Sequence, residues 1–98
     1  MKLQQLIPTI ISHRQKGNPV HIKDSVTGRH ISTVARCYKA TKKIQLNSRD
    51  SIAWGKYYDE AMDLNVSKYE ADDRNILIVY VDGWSNFCEN KNIDTRYR

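Results

Sequence analysis

The sequence predicts an α+β domain: a small, mainly antiparallel sheet of about four strands with two helices, in the order α-β-β-β-α-β. Three observations lead there. Asn75-Ile-Leu-Ile-Val-Tyr-Val-Asp82 sets six consecutive apolar residues, Ile76 to Val81, between polar turn-formers, and most of the six are β-branched or aromatic. Such a run reads as a strand buried on both faces. Leu3, Leu6, Ile7, Ile10 and Ile11 recur at i, i+3, i+4, i+7 and i+8, the apolar stripe of an amphipathic helix. Between these two segments, alternating apolar and polar stretches joined by short turns describe a meander.

Each element has its own warrant. In the first helix Pro8 removes one hydrogen bond and crowds the preceding turn, so the helix is expected to start late or to kink near Gln4. His13, Arg14 and Lys16 suit the negative end of its dipole, and Gly17-Asn18-Pro19 ends it. Val20 to Val26 and His30 to Tyr38 predict two strands around a turn at Thr27-Gly28. Val20, Ile22 and Asp24 share one face, and His21 and Lys23 the other. Lys43 to Asn47, with Ile44 and Leu46, predicts a third strand. Asn47, Ser48, Asp50 and Ser51 are candidate N-caps for a helix over Ser51 to Leu64. That helix carries Trp54, Tyr58, Ala61 and Leu64 at helical spacing, with Ile52 at its entry and Asp59, Glu60 and Asp63 outside. Gly55 weakens it by about 1 kcal/mol relative to Ala. Asn65 to Arg74 is polar and is expected to be irregular. Ile76–Val81 is the last strand, so the domain is expected to span 1–84, with 85–98 a polar C-terminal tail.

The final strand poses a covering problem. Two helices most economically cover one face of a sheet, yet Ile76, Ile78 and Tyr80 are as apolar as Leu77, Val79 and Val81. The second face is left to a helix on the opposite side, to Trp84 and Phe87, or to a second copy of the chain. A homodimer is therefore among the expected assemblies.

A chain of 98 residues makes one domain. No apolar run approaches the roughly 18 residues of a membrane span. Leu3 to Ile11 is interrupted by Gln4, Gln5 and Pro8, unlike a signal peptide. Two cysteines, Cys37 and Cys88, are too few for a disulfide framework, and a cytoplasmic protein is expected.

The net charge of +5 is unevenly distributed. Residues 1–50 hold ten Lys and Arg against two acids; residues 51–98 hold six against nine. The basic half points to nucleic acid or an acidic protein surface. Arg36, Lys39, Lys42 and Lys43, with Tyr38 among them, bracket the connection between the second and third strands. They are the candidate nucleic-acid contacts, because a basic hairpin can track phosphates while an aromatic offers a stacking surface. The second half concentrates aromatics, Tyr97 included, beside acids. Tyr57, Trp84 and Phe87 are its candidate protein-interface anchors.

Catalytic and metal chemistry find little support. His13, His21 and His30 show no zinc-ligand spacing with each other or with the cysteines, although a hairpin could gather His21, His30 and Cys37 on one face. His21 near Asp24, with Ser25 or Ser32, and the acids Asp72, Asp73 and Asp82 are no more than strand-end residues would supply. Phosphate-cradling glycine motifs are absent. A non-enzymatic protein is expected, with no metal, cofactor or small-molecule substrate.

The early Lys2-Leu-Gln-Gln-Leu-Ile7, then Pro19-Val-His-Ile-Lys-Asp24 with its Thr27-Gly28 turn, then the late Ile-Leu-Ile-Val-Tyr-Val-Asp-Gly-Trp together resemble small accessory proteins of phages and prophages of Gram-positive bacteria. The resemblance implies a cytoplasmic protein that binds a host protein or nucleic acid. Anti-restriction and anti-CRISPR inhibitors belong to this broad class. Many of them are acidic DNA mimics, a mechanism that the net charge of +5 opposes. From sequence, the leading expectation is binding of a protein partner or self-association, and the alternative is nucleic-acid binding through the basic hairpin.

Overall fold

The computed structural model describes residues 1–47 and 54–93. Among the described residues the elements follow in the order α1 (Leu3–Gln15), β1 (Val20–Asp24), β2 (His30–Tyr38), β3 (Lys43–Asn47), α2 (Tyr58–Ala61), β4 (Val66–Ala71), β5 (Leu77–Val81) and α3 (Trp84–Asn90). The sheet order is β3-β2-β1-β5-β4. The fold is α+β, but the sheet is mixed: β1 runs parallel to β5, and the other neighbours are antiparallel.

Helix α1 buries the stripe read from its spacing: Leu3, Leu6, Ile7, Ile10 and Ile11 are all in the core. Pro8 sits inside the helix, not at a late start. At the N-terminus the Lys2 N–H donates to Gln5 Oε1 (2.7 Å). At the other end Gly17 (φ +80°) takes the left-handed position, and the Gly17 and Asn18 amides donate to Arg14 and His13 carbonyls. α1 packs against β1, β2, β3 and β5.

The β1–β2 turn is organised by Asp24. Its Oδ1 accepts from the Val26 amide (2.9 Å) and its carbonyl from Gly28 (2.8 Å), which closes the hairpin and ends β1 at Asp24. Irregular pairing marks β2 twice, beside Ile31 and beside Ala35. The Arg14 guanidinium donates to the Ala35 carbonyl (3.3 Å), satisfying backbone where the ladder slips.

Two expected elements differ. Among the described residues the expected second helix is not continuous: Trp54 is helical, 55–57 are turns, and Tyr58–Ala61 is α-helical; Ser48, Asp50, Ser51 and Ile52 lie outside the described residues. Asn65 to Arg74 is not irregular throughout but contains β4. Its burial pattern is one buried residue and then five exposed ones, so it lacks the alternation that reveals a half-buried strand. Beyond residue 84, α3 forms and places Cys88 in the core, and Ile93 beyond it is also buried. Trp84 stacks on Trp54 (centroids 5.2 Å apart) and on Phe87 (5.8 Å).

The core lies on one side of the sheet. Val20, Ile22, Val34, Ile44, Leu77, Val79 and Val81 form one cluster with α1, Trp54, Trp84 and Cys88. The expectation that Ile76–Val81 is buried on both faces is therefore corrected. Leu77, Val79 and Val81 are buried, whereas Ile78 and Tyr80 are only half-buried on the other face. On that face the Lys68 ammonium lies 4.8 Å from the centre of the Tyr80 ring.

Candidate nucleic-acid interface on the uncovered sheet face

Register defines what the face left uncovered by the described residues presents, because directly paired residues point to the same side. One row crosses all five strands as Asn47, Thr33, His21, Ile78 and Glu70. The next runs His30, Lys23, Tyr80 and Lys68. Toward the β3 side, Arg36 pairs with Gln45 and Tyr38 with Lys43. The paired positions of the face thus include Lys23, Arg36 and Lys68, with Glu70 the acid among them. Tyr38, Tyr80 and the two imidazoles lie among them.

Local contacts orient these groups. Tyr38 is 46% exposed and donates its hydroxyl proton to Gln45 Oε1 (3.0 Å). His21 and His30 meet edge to face with centroids 5.1 Å apart, and His30 Nε2 lies 3.2 Å from Thr33 Oγ1. Partial burial, reinforced by the Lys23 charge, holds His21 below the ordinary histidine value of 6.5. Burial, then the neighbouring His21 and Lys23, does the same to His30. Asp72 and Arg74 flank His21 with opposing effects. Both imidazoles are therefore mainly neutral at pH 7, presenting flat, polarisable rings.

The residues expected to bind nucleic acid divide. Arg36 and Tyr38 lie on the uncovered face by register, whereas Lys43, paired with Tyr38, has its ammonium 5.7 Å from the Tyr58 ring and lines a depression with Gln4, Ile7 and Met62 on the helix side. Lys39 and Lys42 do not share the uncovered face. They line a depression of about 220 Å³ beside Pro8, Ile11, Ser12 and Gln15 of α1. The chain reverses between β2 and β3, with Lys42 in the left-handed region (φ +55°), and this carries the loop tip toward the helix. Sequence reasoning missed Lys23, Lys68, Tyr80 and the His21–His30 pair as one group. The alternation in β1 already put His21 and Lys23 together. Lys68 could not be added without β4, nor Tyr80 without the parallel β1–β5 register.

The expected protein-interface anchors do not form a surface. Trp84 is 1% exposed, because α3 turns its indole into the core against Trp54. Phe87 is half-buried on the same stack, and Tyr57 is half-buried beneath the Lys56 and Lys91 ammonium groups. Tyr97 lies outside the described residues.

Other candidate chemistry resolves into turns and ladders. Ser25 donates to Asp82 Oδ1, and Asn65 Nδ2 donates to Asp82 Oδ2 (2.8 Å), holding the Asp82 carboxyl below its usual range. Asp72 accepts from the Arg74 and Ile76 amides (2.9 and 3.0 Å), which likewise lowers it and shapes the β4–β5 turn. Ser32 is buried and donates to the Asn47 carbonyl (3.2 Å). Cys37 faces the helices opposite Ile44, so it does not join His21 and His30. Both cysteines are free thiols. Among the described residues no group of three or more His, Cys, Asp or Glu is placed to hold a metal, and no helix is long and apolar enough to cross a membrane.

A recess of about 220 Å³ at the end of the sheet gathers Asp24, Arg29, His30, Ser85 and Glu89. Within it Asp24 Oδ1 closes the hairpin turn, and His30 Nε2 lies 3.2 Å from Thr33 Oγ1. No family model, curated protein or solved structure matches the chain.

Proposed function

We propose that this protein binds single-stranded nucleic acid across the uncovered face of its sheet. The observation that carries the reading is the row His30–Lys23–Tyr80–Lys68, in which one aromatic sits between two cations at the centre of an open sheet. Bases stack on such rings whatever their sequence, while lysines and arginines meet the phosphates. The row His21–Ile78 beside it extends the platform, and Arg36 with Tyr38 continues it toward β3. A flat sheet suits unstacked bases better than a closed duplex, whose rings are hidden. In this reading the protein is a non-enzymatic, cytoplasmic accessory protein of the phage type.

Fluorescence anisotropy with labelled single-stranded DNA, single-stranded RNA and duplex, at about 50 and 200 mM salt, tests the reading. Single strands should bind best, with affinity falling steeply as salt rises. Tyr80→Ala should weaken binding by about tenfold to a hundredfold, the loss of one stacked base. Lys23→Glu and Lys68→Glu should weaken it further, whereas Lys39→Glu and Lys42→Glu, on the helix side, should have little effect. Absence of binding at low salt would refute the proposal, as would a dependence on Lys39 and Lys42 in place of Tyr80.

A further inference from the structure

The two edges of the sheet are treated differently. At the β3 edge the Ile44 amide donates to the Tyr58 hydroxyl oxygen (3.0 Å), so that position is already occupied. At the β4 edge the N-terminal residues cover only the beginning: Lys2 bridges to Asn65, and the Val66 amide donates to the Met1 carbonyl (2.6 Å). From Ser67 to Ala71 every residue is exposed, and among the described residues no strand or side chain occupies the outer edge. Tyr69, at the midpoint of this stretch, is 45% exposed. It pairs with Val79 on the helix side of the sheet.

Lys68 and Glu70 flank Tyr69 and both point to the other face. That arrangement is self-complementary. If two copies pair antiparallel about an axis through Tyr69, Lys68 lies opposite Glu70 of the partner subunit, and Glu70 opposite the partner's Lys68. Opposite charges directly across a ladder stabilise it. An edge guarded by lysines alone would instead repel its own copy. The exposed stretch has the same axis: Ser67–Ala71 is centred on Tyr69, running from the bulge at Ser67 beside the Met1–Lys2 cover to the Asp72 turn. Among the described residues Glu70 has no ion-pair partner within the chain.

We infer that two copies of this chain pair through their β4 edges into one continuous ten-stranded sheet, with the Lys68–Glu70 pairing setting the register. An isologous two-fold contact of this kind closes on itself and leaves no free β4 edge. The two uncovered faces then become one surface, in which the Tyr80–Lys68 row of one copy runs on into the row that begins with the partner subunit's Glu70. The inference is independent of the nucleic-acid reading, since association is measured with nucleic acid removed.

Light scattering after size exclusion, with the nuclease-treated full chain at submillimolar concentration, should give twice the chain mass of 11.4 kDa. Lys68→Glu and Glu70→Lys should each give the monomer, with unchanged circular dichroism, because each sets like charges face to face. Mixing the two variants should restore a species of dimer mass, since the first then presents two acids to the two lysines of the second. A monomeric wild type would overturn the inference. So would single variants that remain dimeric, or a mixture that fails to associate.

Discussion

Side-chain fate in this protein follows from which side of the sheet a residue occupies, and two aromatics show it. Tyr80 and Trp84 are four positions apart, yet one is half-buried over an open face and the other is 1% exposed. Trp84→Ala should therefore act on folding, costing about 3–5 kcal/mol through the cavity it opens beneath Trp54. Urea denaturation should show this as an early midpoint, whereas Tyr80→Ala should change binding far more than stability. Lys42 makes a different point. It holds a left-handed backbone at φ +55°, which costs a residue with a Cβ about 1 kcal/mol. Lys42→Gly should raise stability by about that amount and leave nucleic-acid affinity within twofold, because the loop tip faces α1. A loss of affinity in that variant would move the binding surface to the loop.

Among the elements, α1 and β4 mark the limits of pattern reading. α1 was legible because five apolar residues repeat with the helical period and all five are buried. Its one irregularity, Pro8, removes the amide that would bond the Gln4 carbonyl and is tolerated because packing against four strands holds the helix. Pro8→Ala should stabilise the protein by about 1–3 kcal/mol, seen as a higher melting temperature. No gain would mean that the restricted unfolded chain offsets the missing bond. β4 was illegible for the opposite reason. As an edge strand outside the cover of the helices it exposes both sides, so burial imposes no alternation on Ser67-Lys-Tyr-Glu-Ala71. α3 was hidden by its polar surface: Trp84 and Cys88 are its only buried residues, one turn apart.

The described residues form a one-sided sandwich, helices on one face of a sheet whose other face carries Lys23, Arg36, Lys68, Tyr38, Tyr80 and the two imidazoles. The protein's pH behaviour should reflect this. In the unfolded chain His21 and His30 protonate near 6.5; in the folded protein they do so only at lower pH, because partial burial and Lys23 oppose the charge. Between those values the unfolded state binds more protons, so stability should fall as pH drops through 6.5 and level off below the folded values. Affinity for single strands should move the other way, rising as pH is lowered from 7.5 through the folded values, where the two imidazoles gain charge. Melting curves and anisotropy over that range check both signs. Replacing both histidines with Gln should flatten both profiles.

The amino-acid pattern was sufficient for the fold class, for α1, for the β1–β2 hairpin and its faces, and for β5 as the heart of the sheet. Each of these is a local periodicity or a turn written in neighbouring residues, and burial of one side enforces it. The parallel β1–β5 pairing, the edge strand β4 and the inward turn of Trp84 depend on which distant segments meet. Lys23, Tyr80 and Lys68 come from three strands and lie together only because β5 inserts between β1 and β4. No local pattern encodes that order, since strand pairing is decided by how the helices cover one face and leave the other to solvent.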